Sequence, residues 1–176
     1  MPEITSPRLT LRPLAMGDAP RIAELAGEWD VARMTSRIPH PYDLANAESW
    51  LTRKTQTADE TAFAIALDDQ FVGGCGFILR GSDAELGYWL GKPYWGRGYA
   101  TEAAGALIDH VFQTYGVERI TLGHFVDNPA SARVIEMLGF VHTGHACEDS
   151  LARGTDVDVV RYALARQSWQ AQTTTP

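Results

Sequence analysis

The chain has 176 residues, of which 45% are hydrophobic and 21% charged, and its formal net charge is -7. That length suits one domain with a full core, and that balance excludes a disordered chain. The acidic charge argues against a nucleic-acid-binding surface, which is normally basic, so no nucleic-acid partner is expected.

The N-terminal stretch "MPEITSPRLTLRPL" lacks an apolar signal core, and no segment approaches the ~18 uninterrupted apolar residues of a membrane span. A cytoplasmic protein without a membrane partner is expected. Leu9, Leu11 and Leu14 alternate imperfectly and predict a first strand closed by Pro13. "GDAPRIAELAGE" predicts a helix with Asp18 as its cap and Ile22, Leu25 and Ala26 on one face. "SRIPHPYD" reads as a proline-rich loop. "LANAESWLTRKTQ" reads as a second helix, with Leu44, Ala47, Trp50 and Leu51 on one stripe.

Phe63, Ile65 and Leu67 then alternate, Asp68, Asp69 and Gln70 turn the chain, and Phe71 to Leu79 returns as a strand. "AELGYWL" predicts another strand and runs straight into "YWGRGYATEA", Tyr94 to Ala103. After that comes the clearest helix, with Ala100, Ala103, Ala104, Leu107, Ile108, Val111, Phe112 and Tyr115 on its apolar face and Gly116 at its end. "RITLGHFV" follows as a strand, "NPASARVIEMLG" as a short helix, and "FVHTGHAC" and "DVDVVRYAL" as the last strands. No repeat or linker interrupts the order. One α/β (α+β) domain over residues 1–169 is expected, with a mixed sheet of about six to seven strands and a frayed tail, "QAQTTTP", at 170–176. Cys75 and Cys147 have no metal-type spacing; both read as buried thiols in a reducing compartment, and no metal is expected.

In "YWGRGYATEA" two glycines precede a helix start. Glycine lets a ligand approach the main chain closely, and a helix N-terminus offers unpaired N–H donors and a partial positive charge. Together they make a phosphate cradle. The dinucleotide fingerprint fails because Thr101 stands where its third glycine belongs, and no Walker-type run exists.

The stretch resembles the acetyl-coenzyme A loop of the GNAT N-acetyltransferases, whose last two fixed places are here Gly98 and Ala100. Trp95 replaces the first fixed place, the form seen in the RimJ/RimL-type branch. "PRLTLRPL", "ELGYWL", "DNPASARVIEMLGF" and "VVRYALARQSW" are similar to other segments of that branch in the same order, so the likeness spans residues 7–169. It implies an acetyl-CoA-dependent transferase acting on a primary amine by direct attack in a ternary complex. The alternative is a sensor module of the same fold that binds acetyl-CoA without turnover.

The resemblance also implies a site. Two parallel strands, Glu85–Leu90 and Ile120–Val126, would splay around the pantetheine. The backbone at Trp89 and Leu90 would pair with it, and the Leu90 N–H would polarise the thioester carbonyl. Tyr88 and Trp89 point to opposite faces, so one of them at most faces the ligand side. The N–H groups of Gly96, Arg97, Gly98, Tyr99, Ala100 and Thr101 would hold the pyrophosphate. The Arg97 side chain either adds a charge contact or is solvated, and Trp95 reads as a packed aromatic that shapes the loop. Asn128 caps the next helix ahead of Pro129 and would also bind pantetheine, and Arg133 would reach the ribose phosphate.

For catalysis, Glu85 is the candidate base, against a plain exposed carboxylate, with His124 on the facing strand second. Glu102 reads as structural. The family's usual acid, a tyrosine, would fall at Ile135, so Ser131 is the candidate proton donor to the thiolate. With so little base in view, the expected acceptor is an α-amine or another low-pKa primary amine. Its identity would be set by "SRIPHPYD", the helix after it, and a loop "CEDSLARGTD"; Asp43, Glu148, Asp149 and Asp156 are candidates to attract a cation. A monomer or homodimer is expected.

Overall fold

A computed structural model describes residues 2–54 and 60–173. Its backbone is organised by one eight-stranded sheet in the order β1-β2-β3-β4-β5-β6-β8-β7. The strands are β1 (Ile4–Thr5), β2 (Thr10–Pro13), β3 (Glu60–Leu67), β4 (Gln70–Arg80), β5 (Asp83–Leu90), β6 (Arg119–Phe125), β7 (Val141–Ser150) and β8 (Thr155–Ala165). Among the described residues six α-helices flank them: α1 (Ala19–Ala26), α2 (Trp29–Ala32), α3 (Leu44–Lys54), α4 (Tyr99–Thr114), α5 (Pro129–Met137) and α6 (Arg166–Thr173). Every strand pairing is antiparallel except β5 with β6. The mixed α/β class holds, with more strands than the six to seven expected.

Two of the differences come from β7 and β8. "CEDSLARGTD" is not a loop: Cys147–Ser150 continues β7, Thr155 and Asp156 begin β8, and the chain turns only between them. Polar residues on a sheet edge, mostly exposed, carry little of the apolar alternation that marks a strand. Likewise Ile4–Thr5 is too short to signal itself as a strand.

Two cores form, one on each side of the sheet. On the first, α4 buries Ala103, Ala104, Leu107, Ile108 and Val111 completely against Phe77, Leu86, Ile120 and Leu164, with Ile135 of α5 and Trp169 of α6 alongside. Each large apolar side chain so buried contributes about 1.5–3 kcal/mol, which fixes the register of α4 on the sheet. On the second, α1 and α3 pack Ile22, Leu25, Ala47 and Leu51 onto Ala64 and Phe71. Leu44, expected on the α3 stripe, is exposed at the helix start.

Asp18 is the N-cap residue of α1, as expected, but its side chain makes no capping hydrogen bond. It sits in a 3₁₀ turn, accepts the Ala15 N–H at 2.9 Å and takes two hydrogen bonds from Arg12 at 2.7 and 2.9 Å. Burial alone would raise its carboxyl, but these bonds outweigh it and hold the pKa below the usual range. Cys75 is buried and Cys147 exposed, so the expectation of two buried thiols holds for Cys75 alone. The expected end of the second helix, at Thr55 and Gln56, lies outside the described residues. In the stretch read as a frayed tail, α6 extends to Thr173, and 174–176 are outside the described residues. Among the described residues no helix is long and apolar enough to cross a membrane.

Candidate active site

β5 and β6 are in parallel register only from Asp83↔Arg119 to Glu85↔Thr121. Beyond that point each keeps its outer neighbour: β5 stays paired with β4 to Leu90↔Gly73, and β6 with β8 to Phe125↔Val159. The two strands therefore diverge inside a continuous sheet and help to open a cleft of about 1450 Å³. The expected Glu85–Leu90 and Ile120–Val126 strands are these two, although β6 ends at Phe125.

Strand alternation sorts the side chains along the cleft. Leu86, Tyr88 and Leu90 turn to the α4 side, whereas Trp89 turns to the α1/α3 side and packs on Phe71, with ring centroids 5.8 Å apart. The Gly91 N–H bonds the Val72 carbonyl on β4 at 2.9 Å. Antiparallel pairing alternates, so the main-chain groups of Leu90 turn the other way, to the side that β6 has left. There the Leu90 carbonyl accepts the Trp95 indole N–H at 2.8 Å. Trp95 thus shapes the loop through a hydrogen bond rather than by packing, since its side chain is 43% exposed.

The loop itself carries two left-handed residues, Gly96 at φ 71° and Gly98 at φ 78°. Any other L-residue there would be strained by about 1–2 kcal/mol. A Cβ on Gly96 would meet nothing within 4 Å, and one on Gly98 would meet only the Arg8 guanidinium at 3.4 Å. The glycines are thus required by backbone shape, and the space over them stays open. Gly98 is the N-cap of α4, with Tyr99 buried below it. In the first turn of α4 the Thr101 hydroxyl is buried without a hydrogen-bond partner among the described residues. Open left-handed glycines, free helix N–H donors and an orphaned hydroxyl together fit a pyrophosphate.

Gly96, Gly98, Tyr99, Ala100 and Thr101 all line the cleft; Arg97 does not, and its side chain is exposed. The Arg97 carbonyl instead accepts from Arg8 at 3.0 Å. Glu102 also binds Arg8, through its backbone N–H at 2.8 Å and its guanidinium at 2.7 Å, and takes the Ser6 hydroxyl at 2.7 Å. Sequence reasoning missed Arg8; its only signal was its place in "PRLTLRPL".

Across the cleft, Asn128 caps α5 by accepting the Ser131 N–H at 3.1 Å, with Pro129 in the first turn. That fold-back brings the Ser131 hydroxyl to 2.9 Å from the Tyr88 hydroxyl. Burial pushes the Tyr88 phenol up to about 12, partly offset by its bond to Ser131. Arg133 is exposed at the cleft edge, and Ile135 is wholly buried in the core, so position 135 offers no acid.

On the α1/α3 side Glu85 lies 3.8 Å from both Arg80 and Arg161. Arg161 also holds Glu148, and Arg37 holds Glu60 at 3.2 Å. Glu148 and Asp149 line the cleft; Asp156 pairs across from Asp149, and Asp43 caps the N-terminus of α3 by accepting the Asn46 N–H at 2.9 Å. His124 lines the same cleft as Glu85 but from the other face of the sheet. It shares the α4 side with Ile120 and Leu122, is 9% exposed, lies 2.8 Å from the Phe125 carbonyl, and stacks on Tyr162. Among the described residues no group of His, Cys, Asp and Glu is arranged for a metal ion.

Residues 8–141 match the family described as the acetyltransferase (GNAT) domain. The uncharacterized N-acetyltransferase p20 of Bacillus licheniformis is 26% identical, over 96% of this chain and 99% of its own. The ribosomal protein uS5 alanine N-acetyltransferase of Escherichia coli is 28% identical, over 94% of this chain and 92% of its own. Mycobacterium smegmatis RimJ, solved with a coenzyme A disulfide, superposes with a TM-score of 0.83 at 22% identity, over 94% of this chain and 87% of that one, a likeness of fold. With the profile covering most of the chain and the splayed strands leading into the glycine loop, the chain belongs to the GNAT acetyltransferase family, whose members transfer an acetyl group from acetyl-CoA to an amine.

Proposed function

We propose that the acceptor is a primary amine of low pKa, in the first place the N-terminal α-amine of a protein or peptide. The observation that carries this is the state of three of the carboxylates that line the cleft. Glu60, Glu85 and Glu148 each face a guanidinium, which competes for the lone pairs that a general base needs. An α-amine, with a pKa of about 7.7–8.0, is partly neutral near pH 7 and asks little of such a site. A lysine amine near ~10.4 asks far more. The name of the uS5 alanine N-acetyltransferase supports the same choice.

In this reading acetyl-CoA supplies the activated acetyl thioester. The loop N–H groups from Gly96 to Thr101, with the Thr101 hydroxyl, hold its pyrophosphate, and Arg133 meets the ribose phosphate at the cleft edge. Asn128 and the main chain at Trp89 and Leu90 hold the pantetheine. The Leu90 N–H stabilises the carbonyl oxygen as negative charge develops on it. Ser131, backed by Tyr88, delivers the proton that the departing thiolate needs, and the proton shed by the attacking amine restores the serine hydroxyl through solvent. Glu85 orients the amine, directly or through a water, with the Arg80 and Arg161 guanidinium groups 3.8 Å from its carboxylate.

The free thiols of Cys75 and Cys147 support a reducing, cytoplasmic setting. The acidic net charge of -7 supports a protein that does not bind nucleic acid. We read the working state as a monomer or homodimer. Thiol release with acetyl-CoA, screened over N-terminal peptides, polyamines, aminoglycosides and amino acids, tests the acceptor. The reading predicts the highest kcat/KM among free N-termini, and a clear preference for a polyamine would overturn it.

A further inference from the structure

Four contacts converge on Arg8 from the far side of the glycine loop. Its Nε lies 2.7 Å from Glu102 Oε2, and its backbone N–H reaches Oε1 at 2.8 Å. Its Nη1 donates to the Arg97 carbonyl at 3.0 Å. The guanidinium lies over the Tyr99 ring, 4.7 Å from the centroid. Arg8 is itself absent from the cleft lining, whereas Gly98 is part of it.

A peptide plane joins these two facts. The carbonyl of Arg97 and the N–H of Gly98 belong to one trans peptide, so they point in opposite directions. Drawing the carbonyl back to Arg8 therefore aims the Gly98 N–H away from Arg8, to the open side of the loop. The torsions on either side of that plane belong to Arg97 and to Gly98, and at Gly98 no side chain restricts the rotation, so the bond to the carbonyl is what holds it. Glu102 supplies the fixed point. It stands one helical turn into α4, only 13% exposed, and is anchored by Ser6 as well. The planar fork of an arginine can bind a carboxylate and a carbonyl at once, which a lysine ammonium on a single stem does poorly.

We infer that Arg8 is a positioning residue for the nucleotide end of acetyl-CoA: it locks the Arg97–Gly98 peptide so that the loop presents its N–H groups to the pyrophosphate. The inference rests on the reading of that loop as the pyrophosphate cradle. It makes the N-terminal segment a part of the cofactor site, reached from about 90 residues away in the chain.

The test compares two acetyl donors, acetyl-CoA and S-acetylpantetheine, which shares the thioester but lacks the pyrophosphate. Arg8→Ala should raise the KM for acetyl-CoA and the Kd for coenzyme A by about tenfold, the loss of one well-placed hydrogen bond to the loop. Its kinetics with S-acetylpantetheine should match those of the parent protein. Arg8→Lys should keep the tie to Glu102 and a near-parent melting temperature, yet lose most of the same coenzyme A affinity. Glu102→Ala should weaken coenzyme A similarly, and adding Arg8→Ala to it should cost little more. Coenzyme A affinity unchanged in both Arg8 variants would overturn the inference, as would an equal loss with both donors. A parent protein that binds no coenzyme A would instead refute the cradle reading on which it rests.

Discussion

The hydroxyls of Tyr88 and Ser131 lie 2.9 Å apart, one from the strand that bounds the cleft and one from the first turn of α5. Ile135, farther along α5, is buried in the core and offers no acid. Ser131→Ala should lower kcat by about a hundredfold, within the range for a lost general acid, with a smaller change in the KM for acetyl-CoA. Tyr88→Phe should give a smaller loss, because Ser131 keeps its own proton. Single-turnover rates check both; an unchanged chemical step in Ser131→Ala would leave the serine only a helix-surface role.

The same tyrosine makes a prediction about alkaline stability. Its folded pKa, pushed up to about 12 by burial, stands above the ordinary value near 10. The unfolded chain therefore loses this proton first. The stability tied to it is full below pH ~10 and is lost as pH rises toward the folded value. Tyr88→Phe should flatten part of the fall in melting temperature over that window. Tyr42, also pushed up to about 12 by burial, should contribute a second part that Tyr42→Phe removes.

Gly98→Asp places a Cβ at φ 78° and a negative charge beside the cradle. It should abolish the rise in melting temperature that coenzyme A gives to the parent protein. Gly98→Ala isolates the backbone part: about 1–2 kcal/mol of strain, with weaker but detectable binding. Calorimetry that found parent affinity in Gly98→Asp would remove the loop from the cofactor site.

Much of this arrangement was legible before any coordinates. The α4 stripe declared itself because a helix packed on a sheet must repeat apolar residues every three to four positions. The β3–β4 hairpin was equally plain: Asp68 and Asp69, at φ 47° and 65°, tolerate left-handed turns better than most residues. Asn128 before Pro129 announced its cap. What local pattern cannot carry is contact between distant segments. Arg8 with Glu102 and Arg161 with Glu85 are both tertiary events. His124 shows the same limit from the other side, for a strand position predicts its neighbours along the chain but not which face the fold will bury.

Trp95 offers a test of how the loop is tied to the strand. Trp95→Phe keeps a ring but removes the donor to the Leu90 carbonyl. Stability should fall by only about 0.5–1.5 kcal/mol, the net worth of one hydrogen bond. The effect on kcat should be larger than on melting temperature, because the freed carbonyl loosens the main chain beside the Leu90 N–H. Equal kcat in parent and variant would show that the bond serves the loop alone.

The central claim is most directly tested on one peptide that carries both kinds of amine, a free N-terminus and an internal lysine. With acetyl-CoA and the enzyme near pH 7, mass spectrometry of the product locates the acetyl group. The account predicts acetylation at the N-terminal nitrogen, a kcat/KM that rises with the ionisation of that amine, and little change in Glu85→Gln. Acetylation of the lysine with the N-terminus untouched would contradict it, and would require a dedicated base where this site has carboxylates held by arginines.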